Sequence, residues 1–370
     1  MLDYKKFKIK INALTPIHIG NGDVYSQLDY VFDKTNKKVF VIDFNRIIAN
    51  SSPSAINDLT SEIKKNFGNN RWRGDVAEFF RRYKLDWEDF VIKEIPCENI
   101  GNNEIHQFVN SSGRCYIPGS SIKGAIRTCF LWDKIKNDES LKSRVTGIIK
   151  EFRNKKPERE HADDEICKLV FGQTAHADIF KNLVINDSTF YQDNQIAVIH
   201  AQSYNFKQAQ KNPNKGGKVV DQFIEVVKKD NFMESEMTIF KNEEFDIEEI
   251  IVSINNFSKE LVGKEIELCA YNENFTKIKQ IKSFIENNKN SNSCFIKLGK
   301  GTGFLGMTLC SLLDKDTFHN YIRTLFRIGE SRAKPREYSP IFPLTHLIQV
   351  DTNKVPLLPF GWIKLTFDKE

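Results

Sequence analysis

The chain has 370 residues, enough for two or three domains at roughly 100 to 200 residues each. With 40% hydrophobic and 12% aromatic residues and only 11 prolines, it carries the apolar surface for real cores, which excludes wholesale disorder. The net charge of +5 is too mild to identify a polyanion partner, so only the distribution of charge can do so.

In chain order, Phe7, Ile9, Ile11 and Ala13 alternate with Lys8, Lys10 and Asn12, the period of two of a half-buried strand. It runs into Leu14-Thr-Pro-Ile-His-Ile-Gly-Asn-Gly22, a tight glycine-bracketed loop. Strands at Leu28 to Phe32 and Val39 to Ile42 form a hairpin across Asp33 to Lys38. Helical spacing then dominates from Asp43 to Phe90, where Val76, Phe79, Phe80 and Tyr83 make one apolar stripe. Strand signals return at Ile105 to Val109 and Cys115 to Ile117, followed by Pro118-Gly-Ser-Ser-Ile-Lys-Gly-Ala-Ile-Arg127. Here Ile122, Ile126, Cys129, Phe130 and Asp133 fall on one helical face, while Lys123 and Arg127 share a neighbouring stripe as an exposed pair. Ser120 or Ser121 is expected to cap this helix, leaving first-turn amides free for an anion and making the segment a compact phosphate clamp.

After a polar insertion come strand-like segments at Leu183 to Phe190, Ile196 to Phe206, Val219 to Val227 and Met237 to Phe240. Helical spacing covers Ile247 to Ile285, ambiguous only at Glu265 to Ala270. Cys294 to Leu298 reads as a strand leading into Gly299-Lys-Gly-Thr-Gly-Phe-Leu-Gly306 and an apolar helix, Met307 to Leu313. Gly361 to Phe367 alternates like a closing strand. The uncharged run Gly301 to Leu313 falls short of the ~18 to 20 residues of a membrane span. The first eleven residues lack the layout of a secretory signal, so a cytoplasmic protein is expected. Seven scattered cysteines without a Cys-x-x-Cys read as reduced, mostly buried thiols.

Charge is distributed unevenly. Lys134 to Glu160 has nine basic and five acidic residues, Asn205 to Val220 four lysines and no acid, and Arg323 to Arg336 five basic and one acidic. Glu234 to Glu249 has seven acids against one lysine, so a basic and an acidic side are expected. Known enzyme motifs fit poorly. Gly301, Gly303 and Gly306 have dinucleotide-site spacing, but no parallel strand ending in an acid follows. Gly119 to Gly124 lacks the Lys-Ser/Thr of a phosphate-binding Walker loop. His161, Cys167 and His176 lack zinc spacing, and no metal or cofactor is expected. His18 stands out inside its glycine loop, where the ring could stack on a base, touch phosphate or simply pack the strand end.

Three glycine-rich, strand-adjacent loops next to basic residues, Pro16 to Gly22, Pro118 to Gly124 and Gly299 to Gly306, resemble the hallmark segments of the RAMP superfamily of CRISPR-associated proteins. The Leu28-Asp-Tyr-Val-Phe-Asp33 hairpin, Val184-Ile-Asn-Asp-Ser188 and Pro359-Phe-Gly-Trp-Ile-Lys364 are similar to the family of fifth subunits of type III-A (Csm) effector complexes. The resemblance implies an α+β fold: an RRM-like (ferredoxin-like) core over 1–245, with insertions at about 45–105 and 136–182, and a helix-rich α+β domain over 246–370. It implies a non-catalytic RNA-binding subunit that caps the backbone filament at the guide RNA 3′ end and supports guide maturation. Its partners would be guide and target RNA, the adjacent backbone subunit, the small subunit and host ribonucleases. His18, Gly20 and Gly22 would line the first loop, Ser120, Ser121, Lys123 and Arg127 would hold guide phosphates, and Gly299, Lys300, Gly301 and Gly303 would lie near the RNA path. Asp29 occupies the hairpin where related backbone subunits place a target-cleaving aspartate, so the alternative is a ribonuclease using Asp29 and His18, with Lys123.

Overall fold

The structure, a computed structural model, describes residues 3–68, 71–72, 76–101, 103–152, 162–205, 220–240, 246–269, 276–288, 291–324, 342–343 and 345–370. Residues 206–219 and 325–336, which hold most of two basic segments, lie outside the described residues, as does His161.

Strand β1 (Tyr4–Ala13) leads through the first glycine loop to β2 (Gly20–Tyr25) and the hairpin β3 (Tyr30–Asp33) and β4 (Lys38–Ile42). Helices α1 (Phe44–Ala49), α2 (Pro53–Asn66) and α3 (Val76–Tyr83) precede β5 (Val91–Pro96) and β6 (Ile105–Phe108). Then come α4 (Gly119–Asn137), α5 (Glu139–Phe152), α6 (Ala162–Phe171), β7 (Leu183–Ile185), β8 (Ile196–Asn205), β9 (Asp221–Val227) and β10 (Phe232–Phe240). The chain continues through α7 (Ile247–Cys269), α8 (Thr276–Glu286), β11 (Ser293–Lys297), α9 (Gly303–Met307), β12 (Thr345–Val350), β13 (Pro356–Pro359) and β14 (Trp362–Lys369).

Sheet one is antiparallel, in the order β7-β10-β1-β14-β11. The alternation of β1 turns Phe7, Ile9, Ile11 and Ala13 inward, into one core with Ile122, Ile126, Cys129 and Phe130 of α4. Asp133, the polar member of that helical stripe, is also buried, and joins α4 to α7 by accepting from Ser253 Oγ at 3.0 Å and Asn256 Nδ2 at 2.9 Å. The outer edge of β11 is closed by α7: Asn255 Nδ2 donates to the Ser293 carbonyl and Asn255 Oδ1 accepts from Phe295 N. The expected boundary at 245/246 falls between β10 and α7, and sheet pairing crosses it, since β11 and β14 from the C-terminal stretch complete the sheet of β1.

Sheet two has the order β13-β12-β8-β9-β6-β2, with only β9 and β6 parallel. The 45–105 segment supplies β5 to a third sheet, β3-β4-β5, and its helices bury Val76, Phe79 and Phe80 with Val31, Ile42 and Leu59 in a separate cluster.

Several expected elements differ: the strand read over Met237 to Phe240 begins at Phe232, and a strand already starts at Gly20 inside the first glycine loop. The strand read over Leu183 to Phe190 stops at Ile185, because the next residues turn to bond two different partners: Ser188 N reaches the Ile117 carbonyl and Thr189 N that of Glu234. The helix read over Met307 to Leu313 lies earlier, at Gly303–Met307, where extended Thr308 ends it and a short 3₁₀ turn follows at Cys310–Leu312. Ser120 and Ser121 do not cap α4. Pro118 is the N-cap, with no side-chain oxygen to accept from the first amides, and the helix begins at Gly119, before either serine. The cysteines described are free thiols: Cys97, Cys115, Cys129 and Cys294 buried, Cys167 and Cys310 half-buried.

Candidate nucleic-acid interface

The first and third glycine loops are stitched together by backbone. Lys300 N donates to the His18 carbonyl at 2.7 Å, Leu298 N to the Gly361 carbonyl at 2.8 Å, and Gly361 N to the Pro16 carbonyl at 2.9 Å. Glycine is required at the crossing, because a Cβ on Gly299 would stand 2.2 Å from the His18 carbonyl oxygen and Gly299 has φ of +71°. Gly301 has its own constraint, with φ of +91° and Phe360 against the position of a Cβ.

His18 lies beneath this junction, 2% exposed. Its Nδ1–H donates to the Glu225 carbonyl at 2.7 Å, and its ring meets Phe108 edge-on. Burial, with smaller repulsion from Lys300 and His106, outweighs the bond to Glu225 and brings its pKa down to about 4, so the ring is neutral at neutral pH. Of the readings open for His18, packing the strand end is the one its burial matches. Gly20 is glycine for the same ring: a Cβ would sit 2.9 Å from His18 Nε2.

Two buried ionic groups support the loops from behind. Under the first, the Glu225 carboxylate takes Lys93 Nζ and, at 2.9 Å, Phe108 N. Under the third, Glu265 pairs with Lys297 and accepts from Trp362 Nε1 at 3.0 Å, with His346 Nε2 3.2 Å away. Burial alone would raise the Glu265 carboxyl; Lys297 and His346 hold it instead well below the carboxylate range.

The second motif is tied down differently from the exposed clamp expected. The Gly119 amide at the start of α4 is satisfied by Asp187 Oδ1 at 2.8 Å, so the chain's own carboxylate occupies the helix N-terminus. Lys123 Nζ donates to the Leu183 carbonyl at 2.6 Å, and Arg127 makes a two-pronged pair with Asp178 at 3.0 and 2.9 Å while lying 3.7 Å over the Phe171 ring. The expectation that this pair is exposed is corrected: both side chains are half-buried and fasten α4 to the segment 178–183.

What faces outward is a cleft of about 460 Å³ where all three motifs meet. Ile19 and Gly20 come from the first loop, Ser121, Gly124 and Thr128 from α4, and Gly299, Lys300 and Thr302 from the third loop. Of the expected site residues, Gly20, Ser121, Gly299 and Lys300 line it. His18 lies below; Gly22, Ser120 and Gly303 are exposed outside the lining; Gly301, Lys123 and Arg127 are spent on internal contacts. Lys300 is the half-exposed cation in the lining, it has no acidic partner among the described residues, and burial alone lowers its pKa. Apolar side chains, among them Phe257, Ile296, Leu298 and Met307, complete the lining around that ammonium. Sequence reading missed Thr128 as lining, and Asp187, Asp178 and Glu225 as supports; only Asp187 had a local signal, inside Val184-Ile-Asn-Asp-Ser188.

Asp29 sits apart in the turn before β3. Its Oδ2 accepts from Ser26 N and Ser26 Oγ, both at 2.7 Å, while its carbonyl accepts from Ile42 N. Those bonds stabilise the turn and do not link it to His18 or Lys123, whose own partners are Glu225 and Leu183. Among the described residues no group of three His, Cys, Asp or Glu could hold a metal ion, and no helix is long and apolar enough to cross a membrane.

The family model of the RAMP superfamily matches residues 10–306. A CRISPR system protein named Csm5 from Methanocaldococcus jannaschii is 28% identical over 97% of this chain and 88% of its own length. The Csm5 of Streptococcus thermophilus is 26% identical over 55% of this chain and 57% of its own. Among solved structures, a chain of a Csm-crRNA-target RNA ternary complex from a type III-A CRISPR-Cas system superposes with a TM-score of 0.70 at 20% identity, covering 98% of this chain and 100% of that one. The crystal structure of T. onnurineus Csm5 gives 0.64 at 18% identity, covering 96% and 99%.

Proposed function

The chain belongs to the RAMP superfamily, and from that premise we propose that it is the RNA-binding subunit of a type III-A CRISPR effector complex that caps the backbone filament at the 3′ end of the guide RNA. The observation that carries this reading is the convergence of the three glycine motifs on one cleft, where glycine backbone and the available Lys300 lie beside apolar side chains such as Phe257, Ile296 and Met307. Such a lining grips a sugar-phosphate chain without reading its sequence, as a guide-binding subunit must, since guides differ. Guide and target RNA, the adjacent backbone subunit, the small subunit and host ribonucleases are the partners in this reading, in the cytoplasm. The relatives named Csm5 support it.

The subunit acts by holding RNA, without cleaving it. The three residues a nuclease reading would use are each committed elsewhere: His18 to Glu225, Lys123 to Leu183 and Asp29 to Ser26. The test is to sequence the RNA that co-purifies with the native chain and to incubate the purified chain, with and without divalent metal, with guide precursor and target. Repeat-derived guides with defined 3′ ends and no cleavage are expected. Random fragments would overturn the guide-binding role, and a specific cut abolished by Asp29→Ala would convert the subunit into a ribonuclease.

A further inference from the structure

Sheet two carries a second cleft, of about 530 Å³, which the glycine motifs do not touch. That is within the range of small-molecule sites, roughly 300 to 1,000 Å³. It opens where His200 of β8 stands opposite Phe223 of β9 and Gln202 opposite Asp221. The His200 ring lies nearly parallel on the Phe223 ring, 4.8 Å between centroids and 8° between planes. Its Nε2 is 2.7 Å from Asp221 Oδ1, and Asp221 also accepts from Gln202 Nε2 at 2.6 Å and Lys354 Nζ at 3.0 Å. Burial would raise the Asp221 carboxyl, but the bonds from Gln202, Lys354 and His200 prevail and hold it below its ordinary value. An ionised Asp221 only accepts, so Nε2 of His200 carries a proton, which in the neutral ring leaves Nδ1 as the acceptor. The imidazole is therefore a flat surface fixed in plane and in tautomer, with a side-chain exposure of 17%. Around it the lining is apolar at Ile100, Val198 and Leu357, and its rim has Glu98 and Asp351, which disfavour a phosphate.

We propose that this cleft seats a nucleobase stacked against the His200–Phe223 pair. A base suits this site better than a phosphate does, because it meets a planar aromatic pair and apolar side chains with acidic residues at the rim. The base comes either from a strand held by the complex or from a free nucleoside. The proposal rests on the RNA-binding reading only for the first of these.

The test uses the full chain with 2-aminopurine riboside and with a short single-stranded RNA carrying one 2-aminopurine, followed by the quenching that stacking causes. Saturable quenching is expected from the strand, the riboside or both, and the two arms tell which source the site accepts. His200→Gln keeps a donor for Asp221 but removes the ring, and should weaken the quenching interaction by roughly tenfold, the worth of one base–ring stack. His200→Phe restores a ring and should regain most of it. Quenching of neither the strand nor the riboside while the strand still binds, or quenching unchanged in His200→Gln, would overturn the base site while leaving guide binding intact. Quenching by the riboside without any strand binding would sustain the site and remove the guide-binding reading.

Discussion

At the scale of single residues, His18 is a structural group with a measurable titration. Its folded pKa of about 4 lies below the ordinary 6.5 because burial disfavours the cation. As pH falls through that window the unfolded chain takes up a proton that the folded chain refuses. The stabilisation present above pH 6.5 is therefore lost on the way to pH 4, by roughly 3 kcal/mol. His18→Gln is expected to melt below the native chain at pH 7 but to lose less stability between pH 7 and 5. Parallel losses in the two proteins would contradict the burial argument. Arg127 is the second case. Removing it leaves Asp178 without its two-pronged partner and uncovers Phe171, so Arg127→Ala should cost about 1 to 2 kcal/mol in denaturant unfolding, a value already reduced for the partial exposure of the pair. An unchanged unfolding midpoint would return Arg127 to the set of free phosphate ligands.

At the scale of elements, α4 has two glycines with opposite expected behaviour. A Cβ on Gly119 would come within 2.1 Å of the Ile185 carbonyl oxygen, whereas one on Gly124 meets nothing within 4 Å. Gly119→Ala should therefore fail to fold or melt far lower, while Gly124→Ala should gain up to about 1 kcal/mol from helix propensity. Gly124→Leu should keep the fold and fill the cleft, weakening RNA binding; normal binding by that variant would place the RNA elsewhere. The helix itself was legible in the sequence, since Ile122, Ile126, Cys129, Phe130 and Asp133 recur at the helical period and all five are buried. Its fastenings were not, because Asp187 and Asp178 lie 68 and 51 residues from the groups they bind and no local period encodes such pairs. The glycine spacing announced three tight loops, but which glycine meets backbone and which meets open space depends on strands brought in from far along the chain. His200 escaped notice for a similar reason: its partner Asp221 is 21 residues away, across a strand pair.

At the scale of the whole molecule, both ends of the chain close one sheet. Strand β1 is central, and β14 pairs along it from Phe7–Lys369 to Ala13–Ile363. The same closure aligns the first and third glycine loops, through Gly361 bonded to Pro16 on one side and Leu298 on the other. Deleting residues 360–370 should therefore lose the fold and not merely the tail; a soluble, cooperatively melting truncation would contradict this. The alternation of both end strands was visible in the sequence, but their pairing was not, since nothing local links residue 7 to residue 369.

The central claim is that RNA phosphates bind in the cleft where the three motifs meet, with Lys300 as its cation. It is tested most directly by the salt dependence of single-stranded RNA affinity for the native chain and for Lys300→Ala, with melting curves for both. Lys300 has no ion pair to lose among the described residues, so the variant should melt as the native chain does. It should bind more weakly and reduce the slope of log affinity against log salt by about 0.7, the release of one counterion from a single strand. An identical affinity and slope in the two proteins would contradict the claim and move the RNA path away from the glycine cleft.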